Sequence, residues 1–96
     1  MKGRYYSKSM LRKLRNEIPI ATLISDILEV PSKISEGYFR FLCPDCSEFN
    51  TATNPKTNLG RCFRCEQNYN TIDLVMLIKH FNFKEAVEFL NGIQKI

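Results

Sequence analysis

The sequence predicts a small α+β domain in which a short antiparallel β-sheet carries two metal knuckles, a zinc ribbon, with helices flanking it on both sides. Three observations predict it. All four cysteines fall in two Cys-x2-Cys pairs, Cys43-Pro44-Asp45-Cys46 and Cys62-Phe63-Arg64-Cys65, separated by fifteen residues. The stretch from Gly37 to Cys62 is aromatic, threonine-rich and broken by turn residues, which suits short strands. The segments before and after it repeat apolar residues at helical spacing.

The cysteine pairs come first because they set the chemistry. Each pair folds into a tight knuckle that presents two thiolates, and two such knuckles supply four soft ligands at tetrahedral corners. That donor set suits zinc and leaves no position open for substrate, so Cys43, Cys46, Cys62 and Cys65 are expected to hold one structural Zn2+. Spacing alone does not separate zinc from iron. A redox role is the rival reading, but a Cys-x-x-Cys redox pair normally stands alone on a βαβ unit, which this chain lacks.

Taken in order, residues 1–7 read as an arm bearing Tyr5 and Tyr6. Ser7 or Ser9 is placed to cap a short helix through Asn16, with Met10, Leu11 and Leu14 on one face and the basic residues on the other. Pro19 forces a break at Ile18 and suits the first position of a second helix running to about Leu28, where Ile20, Leu23, Ile24, Ile27 and Leu28 form an apolar stripe. Val30-Pro31-Ser32 ends it. Tyr38 to Leu42 is a strand with Phe39 and Phe41 on one side and Tyr38, Arg40 and Leu42 on the other.

A second strand is expected over Phe49–Thr53, a turn over Asn54-Pro55-Lys56-Thr57-Asn58, and a third strand over Leu59–Cys62. Asn70 with Asp73 caps a helix through about Phe81 that is apolar on nearly every side and so is expected to be sandwiched between the ribbon and another element. Asn82 with Glu85 caps a last helix with Phe83, Ala86, Val87 and Leu90 on one face and Gly92 as its stop. His80 is expected at a helix end.

Ninety-six residues bound a single small domain that is marginal on hydrophobic burial alone, so a structural metal is expected to hold its centre. The formal charge of +4 is unevenly placed. Residues 1–16 hold six bases (Lys2, Arg4, Lys8, Arg12, Lys13, Arg15) and no acid, while the remainder carries eight bases against ten acids. Four thiolates around one dication remove two charges, leaving about +2. The opening Met1-Lys2-Gly3-Arg4 has no apolar segment behind it and no run approaches a membrane span, so a cytoplasmic protein is expected. Residues 1–16 read as a basic arm with a short helix, and residues 17–96 as the metal-binding domain.

The order of features resembles a known family. Ile20-Ala21-Thr22-Leu23-Ile24 leads to Phe39-Arg40-Phe41-Leu42-Cys43-Pro44; a polar hairpin, Cys62-Phe63-Arg64-Cys65 and Asn70-Thr71-Ile72-Asp73-Leu74-Val75 follow, and then Phe83-Lys84-Glu85-Ala86-Val87-Glu88-Phe89-Leu90. Over residues 17–91 this is similar to the N-terminal zinc-binding domain of bacterial and phage DNA primases. The family usually has His as the second ligand of the first pair, where Cys46 stands here. In that family a separate following domain polymerises, through carboxylates that bind magnesium, and this chain stops at Ile96 without a carboxylate cluster, P-loop or nucleophile-base set. The resemblance therefore implies a noncatalytic accessory subunit that engages single-stranded template for a separately encoded polymerase or primase, in the manner of phage, plasmid or other mobile elements.

Single-strand binding needs cations for phosphates and aromatic faces for bases. Arg40, Lys56, Arg61 and Arg64 are candidates for phosphate, Tyr38, Phe63 and Tyr69 for stacking, and Asn50, Thr51, Thr53 and Asn54 for base edges. Phe39, Phe41 and Phe49 are expected beneath the ribbon, and the face of Met10, Leu11 and Leu14 is either a docking surface for the catalytic partner or part of the chain's own core. No membrane and no small-molecule substrate are expected. The alternative reading is an adaptor ribbon that binds protein without touching DNA.

Overall fold

The computed structural model describes residues 6–94; of the expected arm, Lys2, Arg4 and Tyr5 lie outside them. Helix α1 (Lys8–Asn16) starts at Ser7, whose Oγ accepts from the Met10 N–H at 3.1 Å. Leu14 is fully buried, and Met10 and Leu11 pack against the same apolar cluster. The docking role considered for this face is thus corrected: it packs on α3 (Thr71–Lys79) and α4 (Phe83–Gln94), because a marginal domain has a greater need of those side chains inside.

Helix α2 (Ile20–Thr22) follows Pro19 and widens at once into a π-helical turn over Leu23–Ile27. The sequence pattern alone suggests an ordinary helix here. Ser25 Oγ donates to the Ala21 carbonyl at 3.0 Å, competing for an α-helical acceptor, and Leu28 N–H reaches back to the Leu23 carbonyl at 2.8 Å instead. Glu29, at φ 54°, turns the chain out. The single stripe also divides: Leu23 enters one core with Ile27, while Ile20 and Ile24 enter another.

Two sheets follow. Strands β1 (Ser32–Ser35) and β2 (Tyr38–Phe41) form a hairpin whose turn residues, Glu36 and Gly37, both have positive φ. Two left-handed residues match the twist of a tight hairpin. Strands β3 (Thr51–Asn54), β4 (Leu59–Cys62) and β5 (Gln67–Tyr69) form an antiparallel meander with Thr51 opposite Cys62 and Gly60 opposite Tyr69. Neither β1 nor β5 is apparent from the pattern, since both are short and mostly polar.

Threonine hydroxyls join the sheets. Thr51 Oγ1 accepts from the Phe41 N–H at 3.0 Å and donates to the Phe41 carbonyl, and Thr53 Oγ1 donates to the Phe39 carbonyl at 3.2 Å. Both threonines are buried. They are therefore not base readers, since their hydroxyls are committed to β2.

Helix α3 begins with a reciprocal capping box between Asn70 and Asp73 and ends on His80 in the left-handed conformation. As its all-round apolarity suggests, it lies between two cores. Ile72 and Val75 join Leu14, Leu23, Ala86, Val87 and Leu90 on the helical side, while Leu74 joins Ile20, Ile24, Phe41 and Tyr69 on the ribbon side. Helix α4 starts at the Asn82–Glu85 box and runs through Gly92 to Gln94. Gly92 is not a stop, because Ile93 continues the apolar stripe onto the helical core. Phe83 and Phe49, both expected inside, are exposed; Phe83 meets the edge of Tyr6 and Phe49 lies beneath the Lys33 ammonium at 4.9 Å.

Candidate functional site

Each cysteine pair is shaped by the same local geometry. The N–H of Ser47 donates to the Cys43 carbonyl at 2.9 Å, and the N–H of Glu66 donates to the Cys62 carbonyl at 2.8 Å. Ser47 and Glu66, directly after the second cysteine of each pair, sit at φ 60° and 57°. A non-glycine residue there costs on the order of 1–2 kcal/mol, which the closed loop and its sulfur contacts must offset. Within the loops, the N–H groups of Asp45 and Cys65 point to Cys43 Sγ and Cys62 Sγ at 3.4 Å. The connecting segment binds both knuckles, through Glu48 O to Cys43 N–H and Asn50 O to Phe63 N–H, each at 3.0 Å.

The two knuckles face each other. Cys43 Sγ lies 3.9 Å from Cys65 Sγ, Cys46 Sγ lies 3.7 Å from Cys62 Sγ, and all four sulfurs fall within 4.8 Å of one another. A tetrahedron with Zn–S bonds of about 2.3 Å has edges of about 3.8 Å, which the Cys43–Cys65 and Cys46–Cys62 separations match, so this set suits one zinc ion. Zinc there supplies a crosslink between segments otherwise joined by a long loop, and apparent binding energies of roughly 10–16 kcal/mol in small fingers show how much folding it can drive.

The sulfurs differ in their surroundings. Burial raises the Cys43 thiol, but the N–H groups of Cys46 and Asp45, with Tyr69 and Cys62, outweigh it and bring the value down to about 7. Cys65 is pushed up to about 12 by burial and by the other three sulfurs, and Cys46 is raised chiefly by burial. Tyr69 closes the back of the site: its hydroxyl donates to Asp45 Oδ2 at 2.6 Å and lies 3.8 Å from Cys43 Sγ. Burial, then Asp45 and Cys43, raise this phenol so that it keeps its proton.

Beside the metal centre an open groove of about 930 Å3 runs between the β1–β2 hairpin and the outer face of β3–β4–β5. It brings together Tyr38, Lys56, Arg61 and Phe63 of the candidate nucleic-acid residues. Tyr38 and Phe63 are 54% and 58% exposed, each with an arginine guanidinium over its ring. The Arg61 guanidinium lies 5.9 Å from the Phe63 ring and donates to Asn68 Oδ1 at 3.5 Å. Arg40 is outside this lining; it reaches Glu36 Oε1 at 3.4 Å and its guanidinium lies over the Tyr38 ring, 5.7 Å from the centroid. Arg64 is exposed on the second knuckle, also outside the groove. Tyr69 is corrected: at 4% exposure its ring is core and its hydroxyl serves Asp45, so it offers no stacking face.

Sequence reasoning overlooked Ile34, 78% exposed on the missed strand β1, and Asn68, on the missed strand β5. It also overlooked Asn58. Glu36-Gly37, an acidic-Gly turn before a strand, was the available signal for the β1–β2 hairpin. Asn58, at φ 56°, accepts from the Ile20 N–H at 2.9 Å and donates to the Arg15 and Ile18 carbonyls at 2.6 and 2.7 Å. It fastens the hairpin at the groove's edge to the junction of α1 and α2.

The chain matches the family model of the CHC2 zinc finger over residues 6–96. It is also 32% identical over 94 residues to a DNA primase of Streptomyces coelicolor (strain A3(2)), an alignment that covers 96% of this chain. The chain spans 14% of the length of that relative.

Proposed function

This chain belongs to the CHC2 zinc finger family of DNA primases, and on that premise we propose that its ribbon groove holds single-stranded DNA template for a primer-synthesising active site outside this domain. The observation that carries the reading is the groove itself, where two exposed aromatics, Tyr38 and Phe63, share the lining with the cations Lys56 and Arg61. Base stacking on such faces contributes roughly 1–3 kcal/mol per base, and the cations track the phosphates between. Asn54 and Asn68, also lining the groove, offer amides to base edges.

The protein's own part is binding and positioning. Among the described residues the one group of three or more metal-ligating side chains is the cysteine set, which leaves no ligand position for a reacting group. Polymerisation belongs to a primase or polymerase catalytic domain outside this zinc ribbon. No helix among the described residues is long and apolar enough to cross a membrane, and the proposed setting is the cytoplasm, where template and partner meet.

The test is fluorescence anisotropy of zinc-loaded protein with labelled oligodeoxynucleotides, comparing wild type with Tyr38→Ala and Arg61→Gln. Each substitution should weaken binding about tenfold, with zinc content unchanged. Unaltered affinity and a flat salt dependence would transfer the groove, with its exposed Ile34, to the adaptor reading.

A further inference from the structure

The basic residues of α1 remain unaccounted for by the groove. Resting on the single-strand reading above, we infer that the solvent face of α1 is a second binding surface, a phosphate track that continues the groove and takes the backbone of a strand whose bases lie on the ribbon. The continuity is structural. Asn16, the last residue of α1, lines the groove together with Pro19, Ile20 and Ala21. The helix end is fixed there by Asn58, whose amide donates to the Arg15 carbonyl at 2.6 Å, and by Thr71, whose hydroxyl donates to the Leu14 carbonyl at 2.7 Å.

Helical periodicity then places the charges. The neighbours of Asn16 on the helix surface are the residues three and four positions earlier, Lys13 and Arg12, and one turn beyond Arg12 stands Lys8. All three are exposed, while Met10, Leu11 and Leu14 turn to the core on the opposite side. Among the described residues none of the three enters an ion pair. The row Lys8, Arg12, Asn16 covers about 12 Å at 1.5 Å per residue, leading away from the groove's rim. A row of cations without stacking aromatics between them suits phosphates and not bases, so this surface adds affinity without sequence preference. It explains why the positive charge gathers in a segment that contributes only a few apolar side chains to the fold.

The experiment pairs oligonucleotide length with salt. Zinc-loaded full chain, wild type and the triple variant Lys8→Gln, Arg12→Gln, Lys13→Gln, is titrated with oligodeoxythymidylates of about four nucleotides, enough for the groove, and about fourteen, enough to run onto α1. Glutamine keeps the helix propensity, and unchanged zinc content and melting temperature establish that the variant is folded. A charge-preserving variant, Lys8→Arg with Lys13→Arg, serves as the second control. For the long strand, losing three phosphate contacts should flatten the slope of log affinity against log salt by about 2, at roughly 0.7 per contact, while the short strand binds both proteins equally. Equal slopes for wild type and triple variant on the long strand would overturn the track and leave the groove reading standing. A wild-type chain that binds neither length would overturn both.

Discussion

Replacing Asn58 is the sharpest test of how the groove is held. The side chain is 7% exposed and makes three bonds, accepting from Ile20 N–H at 2.9 Å and donating to Arg15 O and Ile18 O at 2.6 and 2.7 Å. Asn58→Ala leaves all three backbone groups without this partner at a buried position. At about 1–3 kcal/mol for each group stranded, and the low end for the part-buried Arg15 carbonyl, the loss is roughly 3–7 kcal/mol. The left-handed backbone at φ 56° adds about 1 kcal/mol when alanine replaces asparagine. For a domain of this size, a loss of 1 kcal/mol lowers the melting temperature by roughly 4–8 °C, so a fall of at least about 16 °C is expected. The assay is thermal unfolding at fixed free zinc, because metal linkage otherwise shifts the apparent stability. Asn58→Gly separates the two contributions: glycine adopts the backbone freely and should recover about 1 kcal/mol of the deficit and no more. Full recovery by glycine, or an alanine variant that melts with the wild type, would refute the idea that capping bonds fasten the hairpin to α1.

Three other outcomes follow from the same geometry. A Cβ at Gly60 would stand 2.9 Å from the buried Phe41 ring, so Gly60→Ala should cost about 1–3 kcal/mol in thermal unfolding, and Phe41→Leu should recover part of it. Tyr69→Phe removes the hydroxyl that steadies Asp45 beside Cys43, and competition with a chromophoric chelator should show zinc affinity reduced about tenfold with the fold retained. Zinc uptake should also strengthen as pH rises. In the metal-free chain Cys65 and Cys46 are raised and hold their protons at neutral pH, whereas Cys43 is near half-ionised at about 7; calorimetry in buffers of different ionisation enthalpy should therefore register about two or more protons released per zinc at pH 7. Proton release near zero would contradict that ordering.

Much of this molecule was legible because its signals are local. Cys-x2-Cys spacing, the Asn70–Asp73 and Asn82–Glu85 boxes, the Ser7 cap and the apolar stripe of α1 each depend on neighbours within one or two turns, and each appears in the structure where the sequence predicts it. The ligand set and the α+β frame therefore follow from the amino-acid order alone.

What only the tertiary structure decided concerns which partner each side chain finds across the fold. Phe63 stands between the cysteines of the second knuckle and Tyr69 four residues after it, and nothing local says that Tyr69 is buried against Asp45 while Phe63 opens to solvent. Thr51 and Thr53 resemble surface threonines until β2 takes their hydroxyls, and Asn58 resembles any turn asparagine until two helices converge on its amide. Strands β1 and β5 exist because a partner lies alongside, since their own residues are too few and too polar to specify extended pairing. Residue order determined the elements and the metal ligands through short-range chemistry. Contacts between residues some 10 to 57 positions apart selected which aromatics, amides and cations would face the groove.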